Sequence, residues 1–143
     1  MKFNFKSRVH LRWSDVDEMR HVNNARYLTY MEDARGKYLH KVVDWNWLED
    51  GIILANANLN YKKPLYFTDT VWCQVSVSNL GTKSFEMSYR IYRDVKGEEE
   101  TVLEATSVQV MFDYKNGKSK EIPEYIRTKV ESFEQGGDSI TFE

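Results

Sequence analysis

The chain has 143 residues, 41% hydrophobic and 14% aromatic, which fits one globular domain over 1–143 with a single core and leaves no room for a second. A formal net charge of −2 with lysines spread along the sequence supplies no basic field for nucleic acid. The lone Cys73 excludes an internal disulfide framework, and no apolar run nears the roughly 18 to 20 residues that cross a bilayer.

From Phe3 to Trp13 the odd positions carry Phe3, Phe5, Val9, Leu11 and Trp13, and the even ones Asn4, Lys6, Arg8, His10 and Arg12. This period of two predicts a strand with one wet face. It stands where a signal peptide would have its apolar core, so the reading is a soluble, cytoplasmic protein without a membrane partner. After a polar turn, Asn23 and Asn24 are good helix caps, because a short side-chain carbonyl accepts from the free N–H groups of a first turn. Tyr27, Met31, Ala34 and Tyr38, widened by Leu28 and Tyr30, then predict a helix over 24–40 with one buried face. Gly36 inside it costs about 1 kcal/mol relative to Ala, which we read as the close passage of another backbone. Trp45 and Trp47 follow in a connection, where they cover the core or rim a pocket.

A second strand is predicted over 52–61, with Ile53, Ala55, Ala57, Leu59 and Tyr61 on one face, and Pro64 limits its ladder. A third opens at Asp69 and carries Val71, Cys73, Val75 and Val77 to the turn 79–82. Phe85, Met87, Tyr89 and Ile91 return as its hairpin partner. Val102, Thr106, Val108, Val110 and Phe112 mark a fifth strand, closed by Asn116-Gly117. Pro123 precedes a short charged helix that Gly136 and Gly137 end, and the last six residues are expected to be loose. The expected fold is α+β: a five-stranded antiparallel sheet wrapped around one long central helix, plus a short C-terminal helix.

Asp15 and Asp17 admit two readings. Such residues bond nearby backbone in turns, and a carboxylate beside a helix start can also act as base or nucleophile in acyl transfer, with the free N–H groups as oxyanion donors. His21 is either a backbone-bonding residue at the helix entry or catalytic. No metal site is expected, since His10, His21 and His40 have no ligand spacing, and Cys73 falls at an apolar strand position. Nucleophile-elbow and glycine-rich phosphate motifs are absent, and the lack of the latter argues against nucleotide hydrolysis. Lys62, Lys63 and Lys83 are solvated edge charges unless a polyanion lies along the sheet.

The block DxxxHVNNARY, here Asp17 to Tyr27, with Glu32-Asp33-Ala34-Arg35, Asn58 to Pro64 and Gly81 to Ser84, resembles the hotdog-fold acyl-CoA thioesterases of the 4-hydroxybenzoyl-CoA thioesterase type. Within them it is most similar to the long-chain acyl-CoA thioesterase branch. The resemblance covers roughly 3–133. It implies acyl-CoA hydrolysis in a homodimer or homotetramer with active sites at the subunit interface, and no metal or redox cofactor. Asp17 then becomes the nucleophile or water-activating base, and the Asn24 backbone N–H the carbonyl donor. His21, Asn23 and Tyr27 would shape the loop and acyl pocket, and Lys83, with Lys62 and Lys63, would meet the coenzyme A phosphates. Hydrolysis of acyl groups on acyl carrier protein, and acyl-thioester binding without catalysis, remain open. Many members carry Gly where this chain has Arg20.

Overall fold

A computed structural model describes residues 2–143. The chain forms β1 (Phe5–Val9), a 3-10 turn (Trp13–Asp15), α1 (Arg26–Val43), β2 (Gly51–Tyr61), β3 (Val71–Leu80) and β4 (Ser84–Val95). It continues through β5 (Glu98–Asp113), β6 (Lys118–Ser119), α2 (Glu124–Gln135) and β7 (Ile140–Phe142). The strands make one sheet in the order β2-β5-β4-β3-β1-β7, with β6 paired to β5, so β2 is an edge. α1 packs against β1, β3 and α2, burying Tyr27, Tyr30, Met31, Ala34, Tyr38, Leu39 and Val43. The result is α+β, one sheet with two helices.

The sheet has seven strands rather than the expected five. The two extra strands hold two and three residues, too few for alternation to register. β7 also corrects the expectation of a loose C-terminus: Ile140 N–H donates to Asn4 C=O at 2.8 Å, and the strand pairs parallel with β1. β1 stops at Val9 rather than Trp13, because Asp15 N–H turns back onto Arg12 C=O at 2.9 Å.

Two strands present faces that the sequence did not predict. In β2 a bulge lies between Leu54 and Asn56, so Leu54 opposes Gln109 while Ala57 opposes Ser107. Opposed residues of an antiparallel pair share a face, and Ser107 and Gln109 are both fully buried. Ile52 and Leu54 therefore face α1 with Ala57, where unbroken alternation would have placed Ile53 and Ala55. In β5 the inward residues are Leu103, Ala105, Ser107, Gln109 and Met111, and the β-branched set Thr106, Val108 and Val110 looks outward, only half-buried.

A polar face can turn inward only if its hydrogen bonds are made. Here Arg35 Nη1 donates to Tyr89 Oη at 3.1 Å, Tyr89 Oη shares a hydrogen with Ser107 Oγ at 2.5 Å, Ser107 Oγ bonds Gln109 Oε1, and Gln109 Nε2 donates to Phe85 C=O at 3.3 Å. The chain of bonds ties α1, β4 and β5 together. No backbone approaches Gly36: a Cβ there would meet nothing within 4 Å, contrary to the close passage inferred from its helical position.

Candidate active site

Between β1 and α1 the chain doubles back. Val16 and Val22 form a bridge, Asp17 N–H donates to His21 C=O at 3.1 Å, and Arg20 N–H donates to Asp17 C=O at 2.9 Å. The turn requires a left-handed residue, and Arg20 supplies it at φ 67°, a conformation that glycine adopts more readily than any L residue. His21 is held by its backbone, which bridges Tyr66, while its ring lies edge-on to Tyr66 at 6.2 Å.

The two aspartates differ sharply. Asp15 is 6% exposed; its Oδ2 accepts from Tyr30 Oη at 2.7 Å and from Arg12 N–H at 3.1 Å, and its Oδ1 lies 3.7 Å from Arg26 Nε. It ties the loop to α1. Asp17 is half-buried. One oxygen, Oδ1, accepts from Met19 N–H at 2.9 Å, and the other has no hydrogen-bond partner among the described residues.

α1 begins at Arg26, two residues later than the sequence predicts, and no side chain caps it. Asn23 instead makes the turn before it: its Oδ1 accepts from Ala25 N–H and its C=O from Arg26 N–H, both at 2.9 Å. Asn24 C=O accepts from Tyr61 Oη at 2.8 Å, and its N–H has no hydrogen-bond partner among the described residues. No acidic residue stands in the first turn of α1 to neutralise its positive end. A cavity of about 270 Å³ lies here, lined by Asp17, Asn23, Ala25, Arg26 and Thr29 together with Ser14, Asp15 and Val16. The cavity sets the Asp17 carboxylate beside the start of α1, and the N–H next to it left unbonded among the described residues is that of Asn24, since Ala25 and Arg26 donate to Asn23.

Tyr27 is 2% exposed, edge-on to Tyr61 at 5.2 Å and to Tyr30 at 5.9 Å. Burial raises its phenol to about 12. It braces the helix start from beneath. Lys62 and Lys63 follow the end of β2, both N–H groups donating to Val102 C=O, and Lys63 Nζ lies 3.3 Å from Glu100. Lys83 is exposed in the β3–β4 turn, at the Gly51 end of β2, whereas Tyr61 and Asn24 sit at the other end. One chain therefore brings together Asp17, His21, Asn23, Asn24, Tyr27 and the Lys62-Lys63 pair, and leaves Lys83 at the far end of the sheet. Among the described residues no three His, Cys, Asp or Glu side chains cluster to hold a metal. Tyr61 and Thr29 belong to this region and were not singled out by sequence; Tyr61 stands in the quoted Asn58-to-Pro64 segment, whereas Thr29 carries no signal.

Residues 11–130 match the family model described as the thioesterase-like superfamily. The long-chain acyl-CoA thioesterase FadM of Escherichia coli is 28% identical over 129 residues, covering 88% of this chain and 96% of that protein. A Thermus thermophilus thioesterase, solved with coenzyme A and Zn, superposes with a TM-score of 0.82 at 31% identity, over 94% of this chain and 96% of that one. A 4-hydroxybenzoyl-CoA thioesterase variant solved with 4-hydroxybenzoyl-CoA gives a TM-score of 0.80 at 15% identity, over 87% of this chain and 96% of that one, a likeness of fold alone.

Proposed function

The chain belongs to the thioesterase-like superfamily and is a thioester hydrolase, and on that premise we propose that it cleaves acyl-CoA to the free acid and coenzyme A, with Asp17 as the reacting carboxylate. The observation that carries the reading is the cavity in which the uncommitted oxygen of Asp17 and the uncapped start of α1 meet. The Asp17 carboxylate either attacks the thioester carbon, releasing the thiolate and leaving a mixed anhydride for water to open, or takes a proton from the water that attacks. In both routes the carbonyl oxygen becomes an oxyanion, and the Asn24 N–H with the positive end of α1 stabilises it. A single such donor contributes on the order of 2.7 to 4 kcal/mol. His21 and Asn23 hold the loop, and Tyr27 supports the helix start. The names of the relatives favour coenzyme A as the carrier: one is a long-chain acyl-CoA thioesterase and another was solved with coenzyme A.

β2 has a bare edge eleven residues long, and exposed edges of that length invite pairing. In our reading two copies join there antiparallel, as a dimer or as half of a tetramer. That pairing sets the Gly51 end of one β2 against the Tyr61 end of the other, so Lys83 of a second copy comes toward the Asp17 loop and joins Lys62 and Lys63 around the coenzyme A phosphates. Free-thiol release over an acyl-CoA series, wild type against Asp17→Asn, tests the chemistry: full activity in the variant overturns the role of Asp17, and no release by the wild type overturns the substrate. Light scattering should return at least twice the mass of one chain, and a monomer would refute the assembly.

A further inference from the structure

A helix start is the positive end of its dipole, so a cation there is the disfavoured charge. α1 nevertheless opens on Arg26, with no acidic residue in its first turn. Its neighbours do not account for it. Arg26 Nε lies 3.7 Å from Asp15 Oδ1, too far for a hydrogen bond, and with the arginine side chain 49% exposed such a contact contributes little. Asp15 is already served by Tyr30 Oη at 2.7 Å and by Arg12 N–H at 3.1 Å. The guanidinium donors of Arg26 therefore have no hydrogen-bond partner among the described residues.

What the side chain does border is open space. Arg26 lines the cavity of about 270 Å³ that holds Asp15 and Asp17, and it is the one cation among the residues lining it. On its other side a cavity of about 370 Å³ shares Asp15, Arg26 and Thr29 with the first and adds Arg12 and Lys37, the latter held by Asp33 at 2.9 Å. Hydrolysis changes the charge at this junction. The neutral acyl C–S bond breaks, water supplies a hydroxyl to the acyl carbon and a proton to the sulfur, and the acid then gives its own proton to solvent at neutral pH. A new carboxylate thus forms in a cavity already lined by two. Like charges so placed repel, and the product is expelled at once unless a cation faces it.

We propose that Arg26 is the carboxylate-binding residue of this site and holds the free acid that the reaction releases, so that the enzyme is restrained by its own acid product. The inference rests on the acyl-CoA reading above. A guanidinium suits the task, because it stays charged at every working pH and its planar fork meets both oxygens of a carboxylate. Taking hold of the product costs no more than the weak contact with Asp15. The substrate carbonyl is uncharged and gains far less from the same group, so Arg26 favours product over substrate.

The test measures thiol release from octanoyl-CoA by wild type, Arg26→Gln and Arg26→Lys at fixed ionic strength. Octanoate, its uncharged counterpart octanamide and free coenzyme A serve as inhibitors, and Tm is read for each protein. In Arg26→Gln the Ki for octanoate should rise about tenfold relative to that for octanamide, as a charge-assisted bond gives way to a neutral one. Arg26→Lys keeps the charge and should stay within about threefold of wild type. Tm should hold or rise by up to about 3 °C in Arg26→Gln, because the disfavoured cation leaves the helix start. An octanoate-to-octanamide ratio that does not move overturns the inference and leaves the hydrolase reading intact. A lower Tm with all inhibitors weakened alike makes Arg26 a brace for the loop, and a rise confined to coenzyme A assigns the guanidinium to its phosphates; either overturns the inference. No release by the wild type from octanoyl-CoA or any other acyl-CoA removes the parent reading, and this one with it.

Discussion

Exchanging the two loop aspartates one at a time should separate fold from chemistry. Asp15→Ala strips the acceptor from Tyr30 Oη, 7% exposed, and from Arg12 N–H. A buried hydroxyl left unbonded costs about 1 to 3 kcal/mol, and the lost backbone bond adds about 1 more. The Arg26 contact at 3.7 Å, with the arginine side chain 49% exposed, adds little. The expected loss is about 3 kcal/mol, which for a chain of this size lowers Tm by roughly 6 to 12 °C. Asp17→Asn keeps an oxygen for Met19 N–H on a half-exposed turn, so stability should move by no more than about 0.5 kcal/mol. Its kcat should nevertheless fall on the order of 100- to 10,000-fold, the usual contribution of a positioned base. Thermal unfolding and thiol release on the same preparations read both effects. If Asp17→Asn melts early and Asp15→Ala stays stable but inactive, the roles assigned here are reversed and the mechanism fails.

Arg20→Gly relieves a left-handed residue at φ 67° and should stabilise the chain by about 0.5 to 1 kcal/mol, seen as a higher urea midpoint; a lower midpoint would mean that the arginine side chain earns its place by contacts in solution. Alkali should unfold the protein between pH 10 and about 12. Burial, first among the causes, raises Tyr27 and Tyr125 to about 12 and pushes Tyr30 and Tyr38 up as well, with Asp15 and Glu134 accepting from the last two. The neutral phenols are thus favoured in the fold, so their contribution is complete below pH 10 and is lost as pH climbs through the raised values; a urea midpoint flat from pH 9 to 12 would refute this. Lys62→Ala and Lys83→Ala should raise KM for acyl-CoA severalfold while sparing kcat, and the difference from wild type should shrink at high salt; an effect on kcat alone would remove these lysines from the phosphates.

How much of this was legible in the sequence follows from which forces are local. The alternation in β3 and β4 reads true because Cys73, Val75 and Val77 and their partners Ile91, Tyr89 and Met87 are buried on one face with no interruption. β5 misleads for a reason that no window of neighbours contains. Its valines satisfy strand propensity, while burial goes to the face bearing Ser107 and Gln109, whose hydrogen-bond partners Tyr89 and Phe85 lie 18 and 24 residues away in sequence. β2 misleads by one residue, because the bulge between Leu54 and Asn56 turns Ile52 and Leu54 to the face where unbroken alternation would put Ile53 and Ala55. At the candidate site the helix start and the Asp17 loop were visible as composition. The difference between Asp15 and Asp17 was not, because it depends on Tyr30, fifteen residues on, reaching back to one carboxylate and not the other. At Arg20 the backbone conformation is the requirement, φ 67°: glycine adopts it without strain, and an arginine meets it at a cost in stability.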